Sequence, residues 1–366
     1  MIKQKDIEQI NVKTKDKEYP VYIGTRILSG FTLLPGVRDV LENAEKITIV
    51  CDDITGSLFY EKIFKDIKKS FPDIDIYNVA ITHGEDSKNI KNYSRILDHM
   101  AANHMTGSDI LMALGGGVVG DITGFAAATY LRGIAFIQIP TTILAAVDSS
   151  VGGKTAINLR EGKNLAGAFW QPTAVLCDMD CFFTLDADTK ADGISEIIKY
   201  GILKDEALFT SLEVEDFDKN IIDYIKKSVT IKAEIVGRDE HESGERKLLN
   251  YGHTIGHAIE KLSDFRITHG HAVAVGMATM ARISDRLGIS EGIYERIVFV
   301  LKRYGLPTES TYAANRVFEA ALSDKKRRGS SITLVMAQQI GHCILKDTSL
   351  DDLRNYLDSG IFQGDE

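Results

Sequence analysis

Several features are scarce in this chain, and each scarcity removes a class of protein. Only four cysteines occur, at Cys51, Cys177, Cys181 and Cys343, and none belongs to a CxxC pair. That is too sparse for a disulfide framework and describes free thiols in a reducing compartment. No apolar run approaches the ~20 residues that a bilayer-spanning helix needs. The first twenty residues, Met1 to Pro20, are charged and lack an apolar core, so neither a signal peptide nor a transit sequence is expected. A cytoplasmic location is the expectation. Excess positive charge is also missing: 43 Lys and Arg face 52 Asp and Glu, a net charge of −9. Such a balance argues against a nucleic-acid surface, and an anionic ligand would need a local basic pocket. There is no internal repeat, low-complexity tract or long linker.

What is present describes a globular enzyme of two domains. With 366 residues, 44% hydrophobic and 26% charged, the chain exceeds the roughly 250–300 residues at which single cores usually divide. Strand and helix patterns alternate in the first half: strand 47–51, helix 54–70, strand 74–80, helix 90–103, strand 109–114 and strand 134–139. Short connections between such units imply a largely parallel sheet with helices on both faces, a Rossmann-like α/β domain. After residue 184 the pattern becomes helical, over 185–200, 219–236, 245–262, 272–287 and 292–304, with Gly305 as a stop. A strand-like piece, 332–337, precedes the last helix. The predicted domains are 1–184, α/β, and 185–366, mostly α-helical.

Two constellations carry chemistry. The strand 109–114 is apolar without alternation and runs into Gly115-Gly116-Gly117-Val118-Val119-Gly120-Asp121, then into a small-residue helical run over 122–130. Strand, glycine turn and helix start form a cradle for a pyrophosphate. The G-x-G-x-x-G pattern is common by itself, and the acid expected about 20 residues on is absent, so the dinucleotide fingerprint is incomplete. Asp52, Gly116 and Thr141 all follow strands at their carboxyl ends, where such sheets bind ligands.

The second constellation offers metal ligands. His253 and His257 stand four residues apart on one helix face, His269 and His271 follow, and Glu196 with Lys199 lies on an upstream helix. Two imidazoles and one carboxylate suit zinc and leave a position open for substrate. The G-G-K-T at 152–155 is not a P-loop ending, because Asp148 stands where its first glycine belongs. Lysines beside small or polar residues, Lys154, Lys163, Lys199, Lys232, Lys325 and Lys326, join Arg132 and Arg246 as candidate anion binders.

In this order the segments resemble the 3-dehydroquinate synthase family of sugar-phosphate cyclases over nearly the whole chain. The matching stretches are GEDSK at 84–88, GGGVVGD at 115–121, PTT at 140–142, DSSVGGKTAIN at 148–158 and GKNLAGAFWQP at 162–172. They continue with SEIIKYG at 195–201, RKLLNYGHTIGHAIE at 246–260 and HGHAVAVGM at 269–277. The resemblance implies an NAD-binding α/β domain and a helical metal-binding domain. It also implies conversion of 3-deoxy-D-arabino-heptulosonate 7-phosphate to 3-dehydroquinate and phosphate in the shikimate pathway. That reaction proceeds by transient oxidation, phosphate elimination, re-reduction and aldol closure. Carried over by motif, Glu196, His253 and His269 hold one divalent ion, zinc or cobalt. Asp52, Glu85, Lys88, Gly116, Gly117, Val118, Asp121, Thr141, Thr142, Lys154, Lys163 and Thr184 line the NAD. Arg132, Asp148, Lys154, Asn164, Lys199, Lys232, Arg246, Asn250, His257 and Lys326 (or Lys325) serve the substrate, with His257 moving a proton near the phosphate. A homodimer is implied as well. Alternatives are another sugar-phosphate cyclase or a metal-dependent polyol dehydrogenase. Arg246 and Asn250, a carboxylate anchor, argue against a neutral sugar phosphate.

One position departs from the family: His271 stands where a Glu is usual. In a helix, His269 and His271 point roughly 200° apart, at ~100° per residue, and could not share an ion. In an extended segment they would share a face. The helical pattern that follows predicts that His271 lies off the ion.

Overall fold

The structure, a computed structural model, describes residues 7–322 and 331–361. It divides into two compact units. The first runs through Leu185 and includes Lys232–Glu240; the second comprises Asp186–Ile231 and the chain from His241 onward.

The first unit is built on a seven-stranded sheet. Its strands are β1 (Ile7–Lys13), β2 (Glu18–Gly24), β3 (Lys46–Asp52), β4 (Asp75–Ile81), β5 (Ile110–Gly115), β6 (Ala135–Pro140) and β9 (Ala174–Asp178). Between β6 and β9 the hairpin β7 (Lys154–Leu159) and β8 (Gly162–Phe169) stands apart as its own two-stranded sheet. The order is β1-β2-β9-β6-β5-β3-β4, and only the β1–β2 edge pair is antiparallel. Every residue of β5 is buried, as its unbroken apolar run requires of a central strand. Helices α1 (Val37–Leu41), α2 (Asp53–Ser70), α3 (Ile90–Ala102), α4 (Gly117–Thr129) and α5 (Met179–Phe182) complete the unit.

The strand order fixes where a ligand can sit. From β3 the chain steps outward to β4 and then returns across β3 to β5, so the direction of winding reverses between β3 and β5. Open α/β sheets bind ligands at that reversal, beyond the strands' carboxyl ends. Asp52 ends β3 there and caps α2, accepting from the amides of Ile54 and Thr55. The glycine turn ends β5 there.

The second unit is helical: α6 (Ala187–Lys204), α7 (Glu206–Val214), α8 (Phe217–Arg238, whose last turns from Lys232 belong with the first unit), α9 (His253–Leu262), α10 (His269–Arg286), α11 (Ile293–Arg303), α12 (Ala314–Leu322) and α13 (Leu350–Gly360). A hairpin, β10 (Ser331–Gln339) with β11 (His342–Ser349), precedes α13.

Two sequence expectations change. Helix α4 begins at Gly117, five residues before the expected 122, so the glycine turn is itself the helix start. The expected helix 245–262 is interrupted: Glu245–Asn250 forms a 3-10 turn, and α9 begins only at His253. Gly252 causes the break. Its φ of 76° is left-handed, and a Cβ there would lie 2.8 Å from the Met277 backbone nitrogen and 3.0 Å from the Val273 carbonyl oxygen. Helix α9 therefore starts pressed against α10.

Candidate active site

In the second unit, α6, α9 and α10 each present one donor. Glu196, on α6, is completely buried, and Lys199 one turn on is buried beside it and ion-pairs with its Oε2. A buried carboxylate and amine are stable only when each meets opposite charge. His253 opens α9, and its Nδ1 lies 3.1 Å from the Tyr251 carbonyl oxygen, so Nε2 faces Glu196 Oε1 at 3.6 Å. His269 opens α10 and sets Nε2 3.5 Å from the same oxygen. The ligand atoms of Glu196, His253 and His269 lie within 4.8 Å of one another. His257, one turn beyond His253, has its ring centroid 5.4 Å from His253 and 5.9 Å from His269.

Burial alone would depress the His269 pKa. Hydrogen bonds to Glu196 and Glu260 outweigh it and raise the value to about 10. Two buried carboxylates converging on imidazoles draw positive charge to the site, which the raised His269 value reflects. The residues present fit a divalent ion of the zinc or cobalt type, for which two imidazoles and a carboxylate are ordinary donors.

His271 points elsewhere. Its Nδ1 lies 2.8 Å from Asp192 Oδ1 on α6 and 2.8 Å from Thr268 Oγ1, and the Asp192 hydrogen bond raises its pKa. Neither group of potential metal donors among the described residues includes it. Arg246 is buried in the 3-10 turn, and Asn250 at its end donates to Glu242 Oε1. Glu242 adopts a left-handed φ of 58°, unusual outside glycine, and was not singled out in the sequence. Glu260 and Asp192 were not singled out either. Lys325 and Lys326 lie outside the described residues.

In the first unit the predicted residues form two groups. Lys88, buried before α3, donates to Asp121 Oδ2 at 2.5 Å and to Asn164 Oδ1 at 2.6 Å. Burial raises the Asp121 pKa despite that lysine. Asn158 ties in Glu85, donating to its Oε1 at 2.7 Å, and accepts from the Asn164 amide at 2.9 Å. Asn164 itself has φ 54°. The second group is Lys232, buried on α8, whose Nζ reaches both the carbonyl and the carboxylate of Asp148.

The glycine turn packs closely because of what it lacks. A Cβ on Gly117 would come 3.1 Å from Ser149 Oγ, and one on Gly120 would meet Gln138 Oε1 at 2.7 Å. Gly120 thus sets the close approach of α4 to β6, the part the third glycine of a dinucleotide turn plays. The Thr141 amide donates to the Gly115 carbonyl at 3.1 Å, and the Thr142 hydroxyl caps the Ala145 amide at 3.1 Å. The Thr184 hydroxyl is turned onto the Cys181 carbonyl, and Arg132 sits exposed at φ 68°. Lys154 is exposed on β7 and Lys163 half-buried on β8. Val118 is half-buried in the first turn of α4.

A parallel sheet with a glycine turn at its winding reversal, and a helical unit with two histidines and a buried glutamate, define the class of dinucleotide- and metal-using cyclases and dehydrogenases. Comparison with known proteins narrows the class. The family model for the 3-dehydroquinate synthase N-terminal domain matches residues 78–192, and that for the C-terminal domain matches 193–327. A 3-dehydroquinate synthase from Clostridium acetobutylicum is 44% identical over 324 residues, covering 87% of this chain and 90% of that one. Among solved structures, 2-deoxy-scyllo-inosose synthase complexed with carbaglucose-6-phosphate, NAD+ and Co2+ superposes with TM-score 0.85 at 22% identity, covering 97% of this chain and 100% of that one. The 2-epi-5-epi-valiolone synthase of Streptomyces hygroscopicus, with NAD+ and Zn2+ bound, superposes with TM-score 0.82 at 25% identity, covering 94% and 96%. The chain belongs to the 3-dehydroquinate synthase family.

Proposed function

We propose that this enzyme converts 3-deoxy-D-arabino-heptulosonate 7-phosphate to 3-dehydroquinate and phosphate, with NAD at the β3/β5 reversal and one divalent ion on Glu196, His253 and His269. The observation that carries the reading is the Glu196–His253–His269 group, two of its members buried and His269 half-buried, with Lys199 and Arg246 buried in the same unit. Family membership supplies the substrate. When bound, NAD and the ion supply reversible hydride exchange at C5 and polarisation of the C5 oxygen.

The chain's own residues supply the remainder. Asp52, Glu85, Lys88, Asp121, Thr141, Thr142, Lys163 and Thr184, with the Gly116–Gly117–Val118 backbone, bind the dinucleotide. Arg246 offers a planar fork to the substrate carboxylate, and Asn250, steadied by Glu242, adds a neutral donor. Lys154, Lys199, Lys232, Arg132, Asn164 and a lysine at 325 or 326 neutralise the phosphate and orient the ring, with Asp148 holding the Lys232 amine. His257 carries the proton exchanged when phosphate leaves. Once hydride has returned, the ring opens and an aldol addition closes the carbocycle.

We also propose a cytoplasmic homodimer. Support comes from the four free, buried cysteines and from the family resemblance. Among the described residues no helix is long and apolar enough to cross a membrane. Light scattering tests the dimer.

The testing experiment is phosphate release from the heptulosonate phosphate by protein stripped with chelator, with Zn2+ or Co2+ then restored. Release that needs both the ion and NAD+ is expected. Release that proceeds equally in chelator, or better turnover of glucose 6-phosphate or sedoheptulose 7-phosphate, would overturn the assignment.

A further inference from the structure

Glu260 lies beyond the proposed ligands and is buried, at 5% exposure, as Glu196 and His253 are, whereas His269 is half-buried. On α9, His253, His257 and Glu260 occur at i, i+4 and i+7, so one helix face presents all three. Glu260 Oε2 is 3.2 Å from His269 Nδ1, while His269 Nε2 faces Glu196 Oε1 at 3.5 Å. The ring of His269 is thus held between two carboxylates, one at each nitrogen. Only one of these carboxylates faces the nitrogen that points to the proposed ion.

We propose that Glu260 is the positioning residue for His269: by accepting Nδ1–H it fixes the ring's orientation and tautomer, so that Nε2 offers its lone pair to the ion. A carboxylate in that place also raises the donor strength of the imidazole. The proposal rests on the metal reading above. One different arrangement makes a distinct prediction. Donor atoms of His257, Glu260 and His269 also lie within 4.8 Å of one another, and if Glu260 were itself a ligand there, a second ion would bind or the ligand field would change when it is replaced.

The test uses the full chain, stripped of metal and titrated with Co2+. Visible d–d absorption reports stoichiometry and ligand field, and a competing chromogenic chelator reports affinity. Wild type, Glu260→Gln, Glu260→Ala, Glu260→Asp and His269→Ala are compared. The expected result is one Co2+ per chain in wild type and every Glu260 variant, with bands of unchanged shape. Affinity falls about 10- to 100-fold for Gln and Ala and less for Asp. The metal-free Gln variant, which is isosteric, melts slightly below wild type, because it loses the charged partner 3.2 Å from His269 Nδ1; a merely structural residue would give that lower stability with unchanged affinity. Wild-type affinity in the Gln and Ala variants, band intensities showing a changed coordination number, or a second wild-type Co2+ that these variants lose would each overturn the proposal. If wild type itself binds no Co2+, or His269→Ala leaves the bands intact, the metal reading fails instead.

Discussion

Replacing Gly252 by alanine should damage both the helical unit and the metal centre it carries. Two costs add. The left-handed φ of 76° disfavours any Cβ by roughly 1–2 kcal/mol. The new methyl would also stand 2.8 Å from the Met277 backbone nitrogen and 3.0 Å from the Val273 carbonyl oxygen. Backbone atoms cannot rotate aside as a flexible side chain can, so α9 must move off α10 by several tenths of an ångström. Overpacking of this kind costs about 1–3 kcal/mol, for a total of about 3 kcal/mol. For a unit of this size that corresponds to a melting temperature lower by roughly 6–12 °C. His253 opens α9 and His269 opens α10, with ring centroids 5.1 Å apart, so the same displacement separates two proposed ligands. Calorimetry of the metal-free protein and Co2+ titration should therefore shift together. A Gly252→Ala variant with wild-type melting temperature and Co2+ affinity would refute the argument that this glycine sets the approach of the two helices.

Arg246→Ala should lower kcat/KM for the acid sugar phosphate by a few kcal/mol in transition-state terms while metal content by mass spectrometry stays at wild type, because the guanidinium fork is lost and the proposed ligands are not. His271→Ala should retain one metal per chain and most activity. His271→Glu sets a second carboxylate against Asp192, whose Oδ1 is 2.8 Å from the native ring, so it should retain metal but melt below the alanine variant; loss of the ion from either would contradict the placement of His271. Asp178 is buried and its pKa is raised, chiefly by desolvation against hydrogen bonds from the Leu28 and Asp180 amides. A carboxyl raised above its unfolded value contributes stability that is present below about pH 4 and lost as pH rises through the folded-state pKa. Asp178→Asn should therefore compare better with wild type at pH 7 than at pH 4.5 in denaturant melts, and the reverse trend would contradict the shift.

The central sheet was readable because β5 and its glycine turn combine an unbroken apolar run with a punctuation signal. The strands β2 and β9, both inside the sheet, were not: β2 is held by pairing of Val21 with Val175, a partner far away in sequence. The start of α4 was hidden because glycines are poor helix formers; here tertiary packing, including Gly120 against Gln138, overrides that propensity. The break at Gly252 escaped for a related reason, since periodicity records which face is apolar and not how closely a neighbouring backbone approaches. At the site, Glu196, His253 and His269 stand in separate segments; their donor types suggested a metal, and the order of whole motifs fixed which histidines would hold it. Glu242, Glu260 and Asp192 resemble ordinary surface charges in a sequence this acidic. For Glu260 one signal was available: it continues the His253 and His257 face at i+7. The helical pattern after residue 271 was enough to turn His271 away from His269, and its partner Asp192 then emerged from the packing of α6 against α10.

The central claim is that NAD is oxidant and reductant within one turnover. The direct measurement gives enzyme loaded with Co2+ an excess of 3-deoxy-D-arabino-heptulosonate 7-phosphate and NAD+ far below stoichiometric, following phosphate and reduced nicotinamide absorbance together. Many equivalents of phosphate per NAD+, with 3-dehydroquinate formed in equal amount and no accumulating NADH, is the predicted result. Phosphate-free turnover with one NADH per substrate consumed would contradict it and identify a dehydrogenase.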